Sequence, residues 1–255
     1  MVVVSINHNH SENVKNHKTG FSPHIDFMAL DSGSKLEERQ KSYFDILLPN
    51  VYYSGLINAV FEYFHDRSDD FIIYFIASDV VIDDYSKSIE RVKFAFSHSD
   101  IAVYAPCAND SPHKQMVSGY GKGLRQVNFV EGFCFAVRLG LLRKMCPIDV
   151  DINKIGWGLD VYLGYLAMRQ GLKSVVDYEI EVYHPTTSGY DTTKARNQRD
   201  NWFNGLEKAA RIFRKWATFP PINSNIGIFL LKQWIKRISI IAIIFTTISQ
   251  YHEII

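Results

Sequence analysis

Between residues 2 and 97, short apolar runs alternate with stretches of helical spacing, and three of those runs stop on an Asn or Asp. That alternation constrains the fold more than any other feature of the chain. Residues 2–6 (Val-Val-Val-Ser-Ile) predict a buried strand, followed by a polar loop from Asn7 that runs on through residues 11–23. Residues 25–30 predict a second strand, stopped by the turn Asp31-Ser32-Gly33-Ser34. Residues 44–48 predict a third strand and 50–55 a loop. Leu56, Val60 and Phe64 mark a helix over 56–65. Residues 71–76 form the most apolar strand, running into Ala77-Ser78-Asp79, and 85–97 read as a helix. Strands alternating with helices predict an α/β fold, a mostly parallel sheet with helices on both faces. Ligands of such sheets sit beyond the carboxyl ends of the strands, where Asn7, Asp31 and Asp79 fall.

The second half is less regular. A strand over 101–105 ends at Pro106, and residues 109–125, with Gly119, Gly121 and Gly123, read as a loop. Residues 127–137 are strand-like with Glu131-Gly132 inside them. Residues 161–169 are helical, with Gly171 as the C-terminal cap. Two short strands, 174–177 and 179–183, lead to His184-Pro185.

Composition removes several classes. With 28 Lys and Arg against 27 Asp and Glu, the formal charge is +1, so no chain-wide basic field for nucleic acid exists. Three cysteines, Cys107, Cys134 and Cys146, without CxxC spacing, argue against a disulfide framework and for buried thiols in a reducing compartment. Residues 1–5 lack a basic region and a long apolar run, so no signal peptide is expected, and the sequons at Asn9 and Asn109 carry no weight. No nucleophile elbow and no Walker loop is present.

Pro220-Pro221 marks the expected boundary between a domain over 1–219 and a helical tail over 220–255. The tail is apolar but interrupted by Lys232, Lys236 and Arg237, and its uncharged run is shorter than the roughly 20 residues of a spanning helix. Basic residues beside Trp234 suit a helix lying in a membrane interface; a helix packed on the domain or on a second copy in a homo-oligomer suits them equally.

Taken together, these stretches resemble GT-A glycosyltransferases, most nearly the inverting family-2 enzymes, over roughly residues 1–190. Residues 3–9 resemble that family's opening strand and nucleotide loop, and Leu30-Asp31-Ser32-Gly33-Ser34 its D-N-G-S turn. Asn50-Val51-Tyr52-Tyr53-Ser54-Gly55-Leu56-Ile57-Asn58-Ala59 resembles its N-x-G-x-x-x-A-x-N-x-G segment, with Tyr52 where Gly is common. Residues 74–80 resemble the strand carrying D-x-D, with Ala77 in place of the first Asp. Residues 131–138 resemble the acceptor-side strand, Gly156-Trp157-Gly158-Leu159-Asp160 the motif that holds the base, with Leu159 where many members have Glu, and Val182-Tyr183-His184 the later V-x-H.

The resemblance implies transfer from a nucleotide diphospho-sugar, UDP-linked by expectation, to a glycan or glycolipid hydroxyl, with inversion. It implies Mn²⁺ or Mg²⁺ on the diphosphate, held by Asp79 and His184. Asp160 is then the general base and Glu131 the runner-up. Asn7, Asp31, Asn58 and Ser78 become nucleotide contacts, and Trp157 and Gly132 acceptor or sugar contacts. Each has a plainer reading: Asp79 and Asp160 as helix caps, Asp31 as a turn former, Trp157 in the core, His184 as a structural histidine. Asp83 and Asp84 are expected as surface and cap residues. The implied setting is cell-surface polysaccharide or lipopolysaccharide assembly, in the cytoplasm or peripheral on the inner face of the membrane. A nucleotidyltransferase, or a glycan-binding or scaffold protein with a decayed site, is the alternative; Ala77 and Leu159 keep the latter open.

Overall fold

The computed structural model describes residues 1–39, 43–185 and 190–218. The expected tail over 220–255, with its membrane and oligomer readings, lies outside them. Nine strands among the described residues form one sheet, with spatial order β3-β2-β1-β4-β8-β6-β9-β5 and β7 on β9. The strands are β1 (Val2–Asn7), β2 (Phe27–Ser32), β3 (Ile46–Leu48), β4 (Ile72–Ala77), β5 (Val81–Ile82), β6 (Ile101–Ala108), β7 (Leu124–Val127), β8 (Cys134–Arg138) and β9 (Lys173–Tyr183). The helices are α1 (Ser11–Phe21), α2 (Leu36–Arg39), α3 (Tyr52–Phe64), α4 (Tyr85–Phe96), α5 (Leu139–Leu142), α6 (Leu159–Arg169), α7 (Thr192–Gly205) and α8 (Lys208–Trp216).

The β3-β2-β1-β4 half is parallel, as the alternation predicts. Beyond it the sheet is mixed: β8 runs antiparallel to both β4 and β6, β6 pairs β9 in parallel, and β5 and β7 are antiparallel to β9. β1 is buried along its whole length, flanked by β2 and β4 and packed against α1. Alternation sends Val3, Ser5 and Asn7 to the face carrying α1 and α4, and Val4 and Ile6 to the other. There the His17 ring of α1 accepts from Ser5 Oγ at 3.0 Å and donates to the Val80 carbonyl at 2.8 Å, tying α1 to the turn after β4. Burial lowers the His17 pKa and so favours the neutral ring that this pairing uses.

Several sequence expectations needed correction. Most of the stretch 11–23 is not loop: α1 occupies 11–21, with Val14, His17 and Phe21 buried on one face among polar residues that mask the period. α3 starts at Tyr52, inside the expected loop, with Tyr52 itself at φ 56°. β6 continues through Pro106 to Ala108. Its pairing with β8 involves Val103 and Tyr104 only, and its register with β9 shifts between Pro106 and Cys107, so the missing N–H of Pro106 sits beside a bulge. The two short strands before His184 are one strand, and the apparent gap at Tyr178 is the other side of that bulge. The register jumps there from Asp177 to Glu181. Buried Asp177 holds the irregularity, taking two hydrogen bonds from Arg91 at 2.7 and 2.9 Å and one from the Glu179 N–H. β7 begins at Leu124, inside the segment expected to be loop, and ends at Val127, where a strand was expected to start; β8 begins only at Cys134. Expectations met include the Asp84 cap on α4, whose carboxylate accepts from the Lys87 N–H at 2.9 Å, and Gly171 at φ 73° after α6. Cys107 and Cys134 are buried free thiols.

Candidate active site

At the carboxyl end of β1, Asn7 lies in register beside Asp31 of β2. Both side chains are almost wholly buried. Asn7 Nδ2 donates to Asp31 Oδ1 at 2.8 Å and to Ser34 Oγ at 3.1 Å, while its Oδ1 accepts from the His10 N–H. Asp31 also accepts from the Ser34 backbone and hydroxyl and faces Arg39 Nε at 3.2 Å. The pair frames the β1–α1 and β2–α2 loops, and its hydrogen bonds close within the frame. Asn58 lies elsewhere: in mid-α3 it donates to and accepts from the Ile148 backbone, at 2.8 and 2.7 Å. Buried Ser78 ties the end of β4 to β1 through its N–H on the Ile6 carbonyl at 2.9 Å.

Asp79 follows Ser78 and faces His184, with Oδ2 and Nε2 3.6 Å apart. That gap is too long for a hydrogen bond. The His184 ring stacks on Phe133 with centroids 4.2 Å apart and planes 8° from parallel, and the His184 backbone N–H donates to Asn109 Oδ1. Burial lowers the His184 pKa, against the pull of Asp79, and so favours the neutral ring, the form whose nitrogen lone pair can bind a metal. Two ligands about 2.1 Å from a common cation can sit 3.6 Å apart, so this carboxylate and imidazole fit one divalent ion. Among the described residues no third His, Cys, Asp or Glu completes a cluster. Such an ion would need oxygens from substrate phosphate and water, a habit of Mg²⁺ in phosphate-binding sites.

The second acidic group is built around Gly156-Trp157-Gly158. Asn153, fully buried, receives the Gly156 N–H on its Oδ1 and donates its Nδ2 to the Trp157 carbonyl. Gly156 and Gly158 both have left-handed φ, 88° and 87°. A Cβ at Gly156 would lie 2.6 Å from the Tyr53 ring, and one at Gly158 would lie 2.7 Å from Phe203. This turn delivers Asp160 to the first turn of α6, whose cap is Gly158 rather than Asp160 itself. Asp160 Oδ1 accepts from the Val161 N–H at 2.7 Å, and the Gly132 N–H also serves the carboxylate. Burial nevertheless raises the Asp160 pKa to about 6, with the hydrogen bonds and Arg199 opposing. Glu131 is pushed further, to about 7. Burial is again the main cause, the charge of Asp160 adds to it, and a 2.6 Å hydrogen bond from Ser111 Oγ opposes.

Tyr190 joins the two groups. Its hydroxyl accepts from Trp157 Nε1 at 2.7 Å, and Asp79, Asp160 and Glu131 all raise its pKa, below burial in effect. Sequence reasoning passed over it, because a Tyr after a polar stretch carries no signal. It also passed over Tyr53, whose hydroxyl donates to the Gly132 carbonyl and whose ring fills the space Gly156 leaves. Both depend on contacts more than 30 residues apart in sequence. Of the ten residues singled out from the sequence, the structure gathers Asp79, His184, Asp160, Glu131, Trp157 and Gly132 into this region. Asn7, Asp31 and Ser78 lie at the neighbouring ends of β1, β2 and β4, and Asn58 is tied to the loop after α5.

No protein-family model and no curated protein sequence matches the chain. Solved structures do. One is a crystal structure of GalNAc-T7 with UDP, GalNAc and Mn²⁺: TM-score 0.61, 10% identity, covering 86% of this chain and 51% of that one. Another is glucosyl-3-phosphoglycerate synthase from Mycobacterium tuberculosis in complex with phosphoglyceric acid: TM-score 0.53, 14% identity, covering 80% and 78%. This chain thus spans about half the length of the first. What is shared is the fold: the chain has the Rossmann-like GT-A architecture of those two transferases.

Proposed function

We propose that the chain is a glycosyltransferase that moves a sugar from a nucleotide diphospho-sugar, UDP-linked by preference, to a hydroxyl of a glycan or glycolipid. The observation that carries this reading is the convergence of Asp79, Glu131 and Asp160 on Tyr190 beside the carboxyl ends of the parallel strands. The first structure described above contains UDP, a sugar and Mn²⁺ on the same fold.

Asp79 and His184 would hold a divalent cation, which supplies charge neutralisation for the departing diphosphate. Asp31 and Asn7 would shape the nucleotide loop through the frame they lock, with Ser78 at its edge. Asp160 would receive the proton of the acceptor hydroxyl as the acceptor oxygen forms its bond to the anomeric carbon. The bond from that carbon to the diphosphate breaks on the opposite side, and the configuration inverts. A carboxylate with its pKa near 6 is a stronger base than an ordinary Asp and is still ionised at neutral pH. Glu131, pushed towards 7, would donate or accept a hydrogen bond on an acceptor hydroxyl. Trp157 and Gly132 would line the sugar side of the cleft, and Asn58 supports its wall through Ile148.

The test is Asp160→Asn. It should abolish release of nucleoside diphosphate from a sugar donor while leaving nucleotide affinity within about threefold, because the lost group acts on the acceptor proton. Full turnover in that variant would remove Asp160 from the role. Tight nucleotide binding with no turnover in the unsubstituted protein, over a broad acceptor panel, would favour a binding protein.

A further inference from the structure

Helix α8 presents a charged face that nothing in the catalytic reading uses. Lys208, Arg211 and Lys215 recur at i, i+3 and i+7 and are exposed, while Ala210 and Phe213 on the other face are buried. With Phe203, Ile212 and Arg214 they line an open hollow of about 400 Å³. The neighbouring carboxylates are already engaged: Glu207 with Arg169, and Asp200 with Arg199 and Arg214. Lys208, Arg211 and Lys215 therefore have no ion-pair partner among the described residues. Like charges at i, i+3 and i, i+4 repel, and Lys208 sits at the helix start, where the dipole disfavours a cation. Uncompensated repulsion of this kind, in a chain whose formal charge is only +1, calls for an anion from outside.

We propose that this face of α8 docks on an anionic lipid surface. The hollow is open and has an apolar floor of Phe203 and Ile212, which suits a headgroup layer over which long basic side chains spread with their stems on apolar surface. Trp216, 59% exposed, lies one residue beyond Lys215, and an indole at the edge of a basic helix is the side chain favoured at a membrane interface. The sequence continues beyond α8 into 37 residues, 219–255, in which Lys232, Lys236 and Arg237 interrupt long apolar runs. The surface would bring the cleft to an acceptor held at a bilayer, but its existence does not depend on the catalytic reading.

The experiment uses the full-length protein and sedimentation with vesicles of phosphatidylglycerol and phosphatidylcholine in equal parts, at about 0.1 M salt. Binding is expected to these vesicles and not to phosphatidylcholine alone. Each cation at such a surface contributes about fivefold, so the triple variant Lys208→Ala, Arg211→Ala, Lys215→Ala should weaken partitioning by about 100-fold. All three side chains are exposed and repel one another, so its melting temperature should equal or slightly exceed that of the parent protein, measured alongside. Unchanged partitioning in that variant, or loss confined to a variant neutralised at Lys232, Lys236 and Arg237, would overturn the proposal. So would stabilisation by millimolar inorganic phosphate without vesicle binding, which would make the hollow a site for a free phosphate ligand.

Discussion

The Asp160 carboxyl is held between burial, which opposes its charge, and the backbone N–H groups of Val161, Asp160 and Gly132 with Arg199, which favour it. The balance leaves it titrating near 6, and this makes a pH prediction. Only the ionised form can take a proton, so the transfer rate should climb as pH rises through about 6 and then level off. The limb should persist in Glu131→Gln; its disappearance there would hand the base role to Glu131. Glu131 also carries a prediction about stability. Its folded-state pKa, about 7, lies above the ordinary 4.5, so the folded protein binds more protons between those values than the unfolded chain does. Stability from this group is therefore present at low pH and is lost as pH rises from about 4.5 to 7. Glu131→Gln should raise the melting temperature by several degrees at pH 8 and make little difference at pH 4.5. No gain at pH 8 would mean that the Ser111 hydrogen bond offsets the burial of the charge.

At the scale of elements, α6 has to approach the β7–β8 connection closely to present Asp160 to Gly132. Gly164 permits this: a Cβ there would lie 2.1 Å from the Asn128 carbonyl oxygen and 2.9 Å from Phe129 Cβ. Ala is favoured over Gly in a free helix by about 1 kcal/mol, but overpacking against backbone costs about 1–3 kcal/mol or more, so packing wins. Gly164→Ala should lower the melting temperature by several degrees in a thermal melt; a rise would show that α6 can shift away. The same elements show what the sequence made legible. β1, β4 and α4 could be read because apolar runs or periodic apolar positions mark them without interruption. α1 could not: its buried face includes Ser11 and His17, which look like surface residues until Ser5 and Val80 are seen to satisfy the ring. β7 is hidden because its residues Leu124-Arg125-Gln126-Val127 follow three closely spaced glycines and its strand character comes from pairing with β9. Of the site, Asp79, His184, Glu131 and Asp160 were legible through motif resemblance. Tyr190 and Tyr53 were not, because their roles arise from contacts the local sequence does not encode.

On the scale of the whole molecule, the parallel half of the sheet gathers the ends of β1, β2 and β4, and the mixed half brings Glu131 and His184 to the same region. The two halves meet where β8 runs antiparallel to β4, and the Phe133 carbonyl accepts the Ala77 N–H at 2.7 Å across that junction. Asp79 follows one side of it and Gly132 precedes the other, so a nucleotide framed by the first half would present its sugar to the second. The most direct test is a thermal melt of the full-length protein with nucleoside diphosphates and nucleotide sugars, each with Mn²⁺ and with EDTA. A ligand that binds only the folded state raises the melting temperature according to its concentration over Kd. The expected result is a rise with UDP or a UDP-sugar that disappears in EDTA; no rise with any nucleotide in the presence of Mn²⁺ would contradict the assignment of this cleft to a nucleotide-sugar donor.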